Sequence, residues 1–433
     1  MQIFNFRYFC IMVLRIKSLL LFVSFFVAFG QQLLAQNPAQ QIEQGRVNAP
    51  AQISKPYIIY ISADGFRYDF ADKYQAKNLL ALREKGVKAV SLKPSFPSVT
   101  FSNHYTLATG MYPSHHGIVN NSFYDPAKQQ LYAKTDPSAV KDSTWYGGVP
   151  IWVLAEQQQM LSAAFYWLGS ETAVQGIKPT YWYPFGNKIP MYVRLKAVKD
   201  WLLLPEQKRP HLINFYFPEV DVAGHHFGVN AKETAEAVKL IDDCVGQMVQ
   251  LTKEAGLAVS FVFVSDHGMT EVDNKNTLAL PTVIDKEKFI VPNGDALIQI
   301  YAKDKKDVKP LYKRLKKEAV DYDVYLTTKM PKQWHYRAKD NKEGRIGDII
   351  LIPRLPKIFN LTGKPTTVGK HGFDNDMPDM QAVFYAWGPA FKEGLEVKPF
   401  ENVHIYPLLA KILGLQYQHQ IDGDVKVLEP ILK

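Results

Sequence analysis

The chain has 433 residues, of which 47% are hydrophobic, 13% aromatic and 21% charged. This composition is that of a globular protein with a large core, and it excludes a disordered, collagen-like or coiled-coil chain. The formal net charge is +9 and there are only two cysteines, so an anionic substrate suits the charge and a disulfide framework is excluded. The basic residues form no cluster with interleaved aromatics, so we expect no sequence-specific nucleic-acid binding.

The first 35 residues predict a signal peptide. Arg15 and Lys17 precede an apolar run at residues 18–30, and the small residue Ala35 follows it. A basic segment, a short apolar segment and a small residue are the parts of a secretory signal peptide. An uncleaved membrane anchor is the alternative, but the run is short for a membrane span. We therefore expect a periplasmic or secreted protein with no stable membrane anchor after cleavage.

The pattern of apolar runs after the signal peptide predicts an α/β domain over residues 55–433. Residues 36–54 are polar and rich in Gln, Ala and Pro, which is typical of a linker. Near-continuous apolar runs at 57–62, 211–217 and 258–265 indicate strands buried on both faces. Helical patterns lie at 71–85, 149–159 and 231–255, and this alternation predicts a mostly parallel sheet flanked by helices.

The pattern changes between about residues 272 and 363. Short strands are indicated at 296–302, 324–328 and 348–355, and the basic segment 303–317 has the pattern of an amphipathic helix with a solvated face. We interpret this span as a smaller α+β insertion, after which the chain returns to the main sheet at 380–386.

Polar side chains recur where the predicted strands end. Because the carboxyl ends of parallel strands meet at one edge of a sheet, we expect these side chains to form a site. A single Asp-Gly or Asp-His-Gly motif is more often a turn or a helix start, but their joint occurrence favours a two-metal site. Three Asp and three His without Cys are the ligand types of catalytic zinc. The six residues are Asp64, Asp221, His225, Asp266, His267 and His371.

Four other histidines have no strand-end position, and Thr100 supplies a hydroxyl in a loop near the site. We assign structural or surface roles to the four, which are His104, His115, His116 and His226. The pattern also fits a non-catalytic metal-binding protein, but an intact ligand set with a hydroxyl favours an enzyme.

Several motifs, in order along the chain, resemble the nucleotide pyrophosphatase/phosphodiesterase family of the alkaline phosphatase superfamily. They are YISADGFR at 60–67, PSVTFSNHY at 97–105, HGIVNN at 116–121, SDHG at 265–268 and HGFDN at 371–375. The resemblance runs from about residue 57 to the C-terminus. It implies an alkaline-phosphatase-like fold, with a central sheet between helices and two Zn²⁺ ions at the strand ends.

The resemblance also implies a role for each matching residue. Thr100 would be the nucleophile, forming a phospho-threonine intermediate, and Asn121 would donate to a phosphoryl oxygen. Phe101 and Phe185 would clamp a nucleobase. One Zn²⁺ would be held by Asp221, His225 and His371, and the other by Asp64, Asp266, His267 and Thr100.

The resulting expectation is an exported two-zinc phosphodiesterase or nucleotide pyrophosphatase acting on a small nucleotide-type phosphodiester. The groups placed near the phosphoryl, Asn121 and the Thr100 loop, are uncharged, which favours a diester over a monoester. A phosphomonoesterase and a choline-phosphodiester hydrolase of the same superfamily are the alternatives. Leu168 stands where the family usually has Pro.

Overall fold

The structure, a computed structural model, describes residues 40–186 and 189–433. The predicted signal peptide, residues 1–35, lies outside these ranges. Within them, no helix has the length and apolar character that crossing a membrane requires.

The strands are numbered β1 to β19 along the chain. In order they are Gln41–Ile42, Tyr57–Ala63, Val87–Ala89, Leu92–Lys93, Ser122–Asp125, Gln130–Ala133, Ser162–Phe165, Tyr181–Tyr183, Leu212–Phe217, Val259–Val264, Thr270–Glu271, Phe289–Ile290, Ile298–Ala302, Tyr322–Leu326, Ile349–Pro353, Gly369–Lys370, Phe384–Trp387, Leu395–Val397 and Phe400–Glu401.

The α-helices are numbered α1 to α11 along the chain. In order they are Phe70–Lys73, Lys77–Glu84, Thr100–Thr109, Pro113–His116, Pro137–Lys141, Ile151–Gln157, Met191–Leu202, Glu219–Phe227, Lys232–Glu254, Val308–Glu318 and Ile405–Leu413.

The main sheet has nine strands in the order β1-β8-β7-β9-β2-β10-β17-β3-β18. Its central strands β8, β7, β9, β2 and β10 are parallel to one another, and β17 returns antiparallel to β10. This confirms the predicted α/β fold with a mostly parallel sheet. It also makes β9, β2 and β10 neighbours, so the three segments that follow them start at the same edge of the sheet.

Helices cover both faces of the main sheet. Successive side chains of a strand point to opposite faces, so Ile58 and Tyr60 of β2 pack with α3, α6 and α11, whereas Ile59 and Ile61 pack with α2, α7 and α9. All four side chains are at most 1% exposed. Burial on two faces explains why the central strands are continuous apolar runs rather than alternating ones.

A smaller sheet of four antiparallel strands, in the order β12-β13-β15-β14, lies within the span interpreted as an insertion. Leu311 and Leu315 of α10 pack on it and complete a separate apolar cluster. The remaining face of α10 carries the exposed basic residues of this segment. The loops before and after these strands reach the carboxyl edge of the main sheet.

Two local predictions differ from the structure. The described part of the linker is attached to the domain: β1 pairs with β8, and the buried Asn48 side chain bonds the backbone at Leu161, Glu206 and Arg209 at 2.7–2.8 Å. The helix expected over 71–85 is two helices, because Gln75 adopts a left-handed conformation with φ of 54°. The first departure depends on strand pairing and one buried amide, and the second on one residue in a left-handed conformation.

Candidate active site

The carboxyl ends of β2, β9 and β10 bring the predicted Asp and His residues together. Asp64 follows β2 directly, and Asp266 and His267 follow β10 after one residue. The segment after β9 becomes helix α8, whose consecutive turns carry Asp221 and His225 on one face. These strands are neighbours in the sheet, so residues more than 150 positions apart in sequence share one site.

The first group of side chains surrounds the Nε2 atom of His267. This nitrogen lies 2.9 Å from Asp266 Oδ2 and 3.5 Å from Asp64 Oδ1. Thr100 Oγ1 lies 3.2 Å from the same nitrogen. All four side chains are buried, and four potential metal-ligand atoms converge at one point.

The second group surrounds Asp221 Oδ1. His225 Nε2 lies 3.4 Å from this oxygen and His371 Nε2 lies 3.7 Å from it. The ring of His371 also stacks on that of His267, with 3.6 Å between the ring centroids. The two groups therefore adjoin each other and form one polar centre.

One oxygen of each carboxylate in this centre is buried without a hydrogen-bond partner among the described residues. These oxygens are Asp64 Oδ1, Asp221 Oδ1 and Asp266 Oδ2. The other oxygens of Asp64 and Asp266 are satisfied, by the Tyr216 hydroxyl at 2.6 Å and by the Gly65 amide at 3.2 Å. Unpaired buried carboxylate oxygens are costly, and a bound cation would remove that cost.

The three imidazoles are held with Nε2 facing the carboxylates. Each Nδ1 lies within hydrogen-bond distance of a backbone carbonyl: Gly369 for His225 at 2.7 Å, Ser98 for His371 at 2.8 Å and Gly268 for His267 at 2.9 Å. A donating Nδ1–H places the lone pair on Nε2 and fixes the orientation of the ring. Metal-binding histidines in proteins are oriented in this way.

The electrostatics of the centre also favour cations. Burial and the nearby carboxylates of Asp266 and Asp221 raise the pKa of Asp64 well above its ordinary value. Burial, followed by the neighbouring imidazoles of His267 and His225, lowers the pKa of His371 well below its ordinary value. A neutral imidazole beside crowded carboxylates is a ready metal ligand, and two divalent cations would offset the three carboxylate charges.

Two glycines permit the close approach of these segments. A Cβ on Gly268 would lie 2.2 Å from the carbonyl oxygen of Asp379, and a Cβ on Gly65 would lie 3.0 Å from Cα of Asp221. Gly65 also has a positive φ of 68°, which side chains other than glycine rarely tolerate. The turn that aims Asp266 and His267 into the site depends on the backbone contact at Gly268, not on a left-handed conformation.

Thr100 and Asn121 meet at the start of helix α3. Thr100 is the first residue of this helix, where free backbone N–H groups and the helix dipole favour an anion. The Phe101 amide donates to Asn121 Oδ1 at 3.0 Å. Since this bond engages the amide oxygen, the Asn121 Nδ2 group is the donor left for a ligand near Thr100.

Two cavities open on the centre. The first, which we call the aromatic cavity, measures about 450 Å³. Phe185 is 49% exposed at its wall, edge-on to Tyr166 and Tyr216, so it is not packed in the core. The side chains that matter here are those of Thr100, Phe101, Tyr166, Glu171, Phe185 and Tyr216.

The second cavity, which we call the basic cavity, measures about 500 Å³. It opens beside the second group of metal-ligand candidates, and loops of the smaller sheet form its outer wall. Its functional side chains are those of Asn121, Lys134, His225, Lys364, Lys370 and His371.

Three residues lie at this site that were not expected there from the sequence. His104, expected to be structural or on the surface, is buried, and its Nδ1 lies 3.0 Å from the Thr100 carbonyl oxygen and 3.2 Å from Asp266 Oδ2. Its Nε2 is 2.8 Å from the Ser62 hydroxyl, which suits a supporting role. His104 also lies close enough to Asp64 and Asp266 for the three side chains to hold a metal ion. Tyr216 belongs to a buried strand and Lys134 to an exposed loop, and neither position has a motif that distinguishes it.

The sequence and structure resemble known phosphodiesterases. Residues 58–374 match the family described as type I phosphodiesterase / nucleotide pyrophosphatase. An uncharacterized pyrophosphatase/phosphodiesterase of Schizosaccharomyces pombe is 34% identical over 86% of this chain and 80% of its own length. A venom phosphodiesterase of Crotalus durissus collilineatus is 31% identical over 86% of this chain, which spans only 46% of that relative's length.

A solved structure with the same fold carries a nucleotide. It is the murine ectonucleotide pyrophosphatase/phosphodiesterase 5, as an inactive threonine-to-alanine variant in complex with AMP. It superposes with a TM-score of 0.80 and 25% identity, covering 88% of this chain and all of that chain.

The hydrogen bond from the Tyr216 hydroxyl to Asp64 can be tested by the pH at which the protein releases its metal. The Tyr216 hydroxyl lowers the pKa of Asp64, against burial and the neighbouring carboxylates that raise it. Tyr216→Phe should therefore raise that pKa further, so protons displace bound metal at a higher pH. The pH midpoint of acid-induced metal release should rise by about one pH unit. The midpoint is measured by capturing the released metal with a chelator at a series of pH values from about 8 to about 4.

Tyr60→Phe is the matched control for this substitution. Tyr60 lies on the neighbouring strand β2, and its buried hydroxyl has no hydrogen-bond partner among the described residues. The control should leave the midpoint in place. An unchanged midpoint in Tyr216→Phe as well would show that the hydroxyl does not tune the metal site.

Proposed function

Because the chain belongs to the type I phosphodiesterase / nucleotide pyrophosphatase family, we propose that it hydrolyses nucleotide-type phosphodiesters through Thr100. The observation that supports this best is the set of unpaired carboxylate oxygens and oriented imidazoles around the Thr100 hydroxyl. This set fits a pair of divalent cations and places a hydroxyl nucleophile beside them.

We assign the metal ligands by the two groups of side chains. Asp221, His225 and His371 would hold one Zn²⁺, and Asp64, Asp266 and His267 would hold the other together with Thr100. Carboxylate and imidazole without thiolate is the donor set of catalytic zinc. Bound zinc would supply Lewis acidity that lowers the pKa of hydroxyl groups and stabilises anionic oxygens.

Thr100 is the nucleophile in this mechanism. Its Oγ1 forms a bond to phosphorus while the bond from phosphorus to the leaving oxygen breaks, which leaves a phospho-threonine and a released alcohol or phosphate. Water then hydrolyses the phospho-threonine and restores the hydroxyl. The inactive threonine variant of the murine relative supports the assignment, since the motif around Thr100 resembles that family.

The residues around Thr100 stabilise and orient the phosphoryl group. Asn121 donates from Nδ2 to a non-bridging oxygen, since the Phe101 amide holds its Oδ1. The free N–H groups at the start of α3 point to the same anion. Preorganised donors of this kind favour the transition state, because they need no rearrangement as charge develops.

The aromatic cavity would hold the nucleoside. Phe101 and Phe185 provide the faces for stacking, and stacking accepts several bases because each base has a π-face. Burial raises the pKa of Glu171, which lies beside Phe185 in the same cavity, and its carboxyl group would bond the polar edge of a stacked base. The AMP complex of the murine relative supports a nucleotide as the ligand.

Hydrolysis of choline phosphodiesters is the second candidate. Glu171 beside the rings of Tyr166 and Phe185 is also the chemistry that binds a quaternary ammonium group. Lys134 and Lys141 line the same cavity and disfavour a cation, so we rank the nucleotide first.

We further propose that the protein is exported. The signal-peptide pattern of residues 1–35 supports this, and the relatives include a venom phosphodiesterase and an ectonucleotide enzyme. A periplasmic or extracellular location would expose the enzyme to nucleotides outside the cytoplasm.

Replacing Thr100 tests the nucleophile. Thr100→Ala should lose all but about a hundredth of kcat for a nitrophenyl ester of thymidine monophosphate, because no hydroxyl remains to attack. Both metals should stay bound, because each group retains three protein ligands. Thr100→Ser, which keeps a hydroxyl, should retain measurable turnover, and full activity of the alanine variant would mean that water attacks directly.

Two adjacent histidines test the metal count. His225→Ala should lower the zinc content measured by elemental analysis from about two ions per chain to about one. His226→Ala removes an exposed imidazole from the next position of the same helix and should leave the zinc content unchanged. Equal metal content in the two variants would contradict the role assigned to His225.

A panel of chromogenic esters tests the substrate class. We expect kcat/KM for nitrophenyl thymidine monophosphate to exceed that for nitrophenyl phosphocholine and nitrophenyl phosphate by about a hundredfold, or about 2.7 kcal/mol. Phe185→Ala should lower the nucleotide value about tenfold, whereas Phe227→Ala, a similarly exposed aromatic outside the cavity, should not. Faster turnover of the phosphocholine ester would select the second candidate, and faster turnover of the monoester would favour a phosphatase.

A further inference from the structure

The span around the smaller sheet supplies none of the six candidate metal ligands and no group assigned to the phosphoryl, yet one of its segments contacts three loops of the site. This segment, residues 330–346, joins β14 to β15, and we call it the bracing segment. Resting on the proposed function, we propose that it positions Asn121 for the phosphoryl group through Tyr336 and Arg345. Both are positioning residues, because they act through the loop that carries Asn121.

Arg345 bonds the chain on both sides of Asn121. Its Nη1 donates to the carbonyl of Gly117 at 3.2 Å, and its Nε donates to Asp125 Oδ2 at 2.8 Å. Asp125 is the last residue of β5, which starts directly after Asn121. Arg345 and Asp125 are 4% and 2% exposed. A buried ion pair adds little net stability, but a planar guanidinium fixes the direction of its bonds, so this pair is suited to setting geometry.

Tyr336 holds the same loop closer to Asn121. Its side chain is buried, and its hydroxyl donates to the carbonyl of Val119 at 2.7 Å. Val119 lies two residues before Asn121. The ring of Tyr336 also meets that of Phe96 edge-on, with 5.4 Å between the centroids, and Phe96 lies four residues before Thr100. One side chain therefore contacts both segments whose groups meet at the phosphoryl.

Trp334 attaches the bracing segment to a third loop. Its ring stacks on that of Phe96, with 4.2 Å between the centroids. Its Nε1 donates to Asp374 Oδ1 at 2.9 Å, three residues after His371. The loops that carry the nucleophile, the phosphoryl donor and one metal-ligand candidate are thus fixed to one segment, which sets the spacing of the groups they carry.

The position of Asn121 matters because only one group of its amide is free to donate to the phosphoryl. The Phe101 amide donates to Asn121 Oδ1, which leaves Nδ2. A preorganised donor lowers the barrier only where it meets the oxygen on which charge develops, and a displacement of about 1 Å can cost about a hundredfold in rate. A loosened Asn121 loop should therefore lower kcat, while nucleoside stacking keeps KM nearly unchanged.

A double-mutant cycle separates positioning from a general loss of stability. With nitrophenyl thymidine monophosphate, Tyr336→Phe should lower kcat about tenfold and Asn121→Ala about a hundredfold. In the Asn121→Ala background, Tyr336→Phe should lower kcat by no more than about twofold further, because the group to be positioned is gone. The zinc content should stay unchanged in all three variants.

Tyr181→Phe is the matched control. Tyr181 is buried in β8 of the main sheet, and its hydroxyl also donates to a backbone carbonyl, that of Lys208 at 2.9 Å. The control should lose about the same stability yet keep kcat within about twofold of wild type. Arg345→Lys keeps the charge but loses the planar geometry, so it should lower kcat at least as much as Tyr336→Phe. Should Arg345→Lys fail to fold, Tyr336→Phe decides.

Hydrogen exchange gives a readout that does not depend on turnover. The backbone amides of residues 117–125 should exchange about fivefold faster in Tyr336→Phe than in wild type or Tyr181→Phe. Unchanged exchange in this loop, an unchanged kcat, or a loss of kcat that multiplies in full with that of Asn121→Ala would overturn the proposal. Failure of the wild-type protein to hydrolyse the ester would instead contradict the proposed function, and hydrogen exchange would still test the bracing contacts.

Discussion

The structure depends on the crowding of three carboxylates at one edge of the main sheet. Asp64, Asp221 and Asp266 each direct a buried, unpaired oxygen at a small region that also receives three imidazole nitrogens. Burial and the neighbouring carboxylates of Asp266 and Asp221 raise the pKa of Asp64 and so favour its protonated form. Bound cations would offset this crowding, and metal binding would then stabilise the fold.

The strand order, two glycines and several hydrogen bonds bring the three carboxylates together and hold the imidazoles beside them. The order β9-β2-β10 places three strand ends side by side, and Gly65 and Gly268 let the following segments touch. Backbone carbonyls then orient the imidazoles, while Tyr216 and His104 support the carboxylates from behind. The two cavities that open on the centre differ in character, since aromatic rings line the aromatic cavity and three lysines line the basic cavity.

Much of this arrangement could be predicted from the sequence, because it depends on local patterns. Continuous apolar runs revealed the buried strands and the confirmed fold, and Asp or His directly after a strand predicted which side chains share an edge. The resemblance to a family, also confirmed, added Asn121, Phe101 and Phe185, whose positions no periodicity indicates, and it assigned Thr100 the role of nucleophile. Their catalytic and binding roles remain predictions.

Other features depend on contacts between distant segments, which a single sequence does not encode locally. In the sequence, Tyr216 is one residue of an apolar strand with nothing to distinguish it. In the structure, its hydroxyl lies 2.6 Å from Asp64 Oδ2. Asn48 belongs to a polar segment, yet it is buried by bonds to residues more than 110 positions away. From the sequence, only uncharged groups were expected near the phosphoryl group. Lys134 was not among the expected groups, because only the folded chain places its loop beside His225 and His371.

Anomalous X-ray diffraction at the zinc edge, from crystals of the zinc-loaded protein, tests the central claim most directly. We predict two anomalous peaks, one between Asp64, Asp266, His267 and Thr100 and the other between Asp221, His225 and His371. A single peak, a peak coordinated by His104, or no zinc signal at this edge of the sheet would contradict the two-metal account.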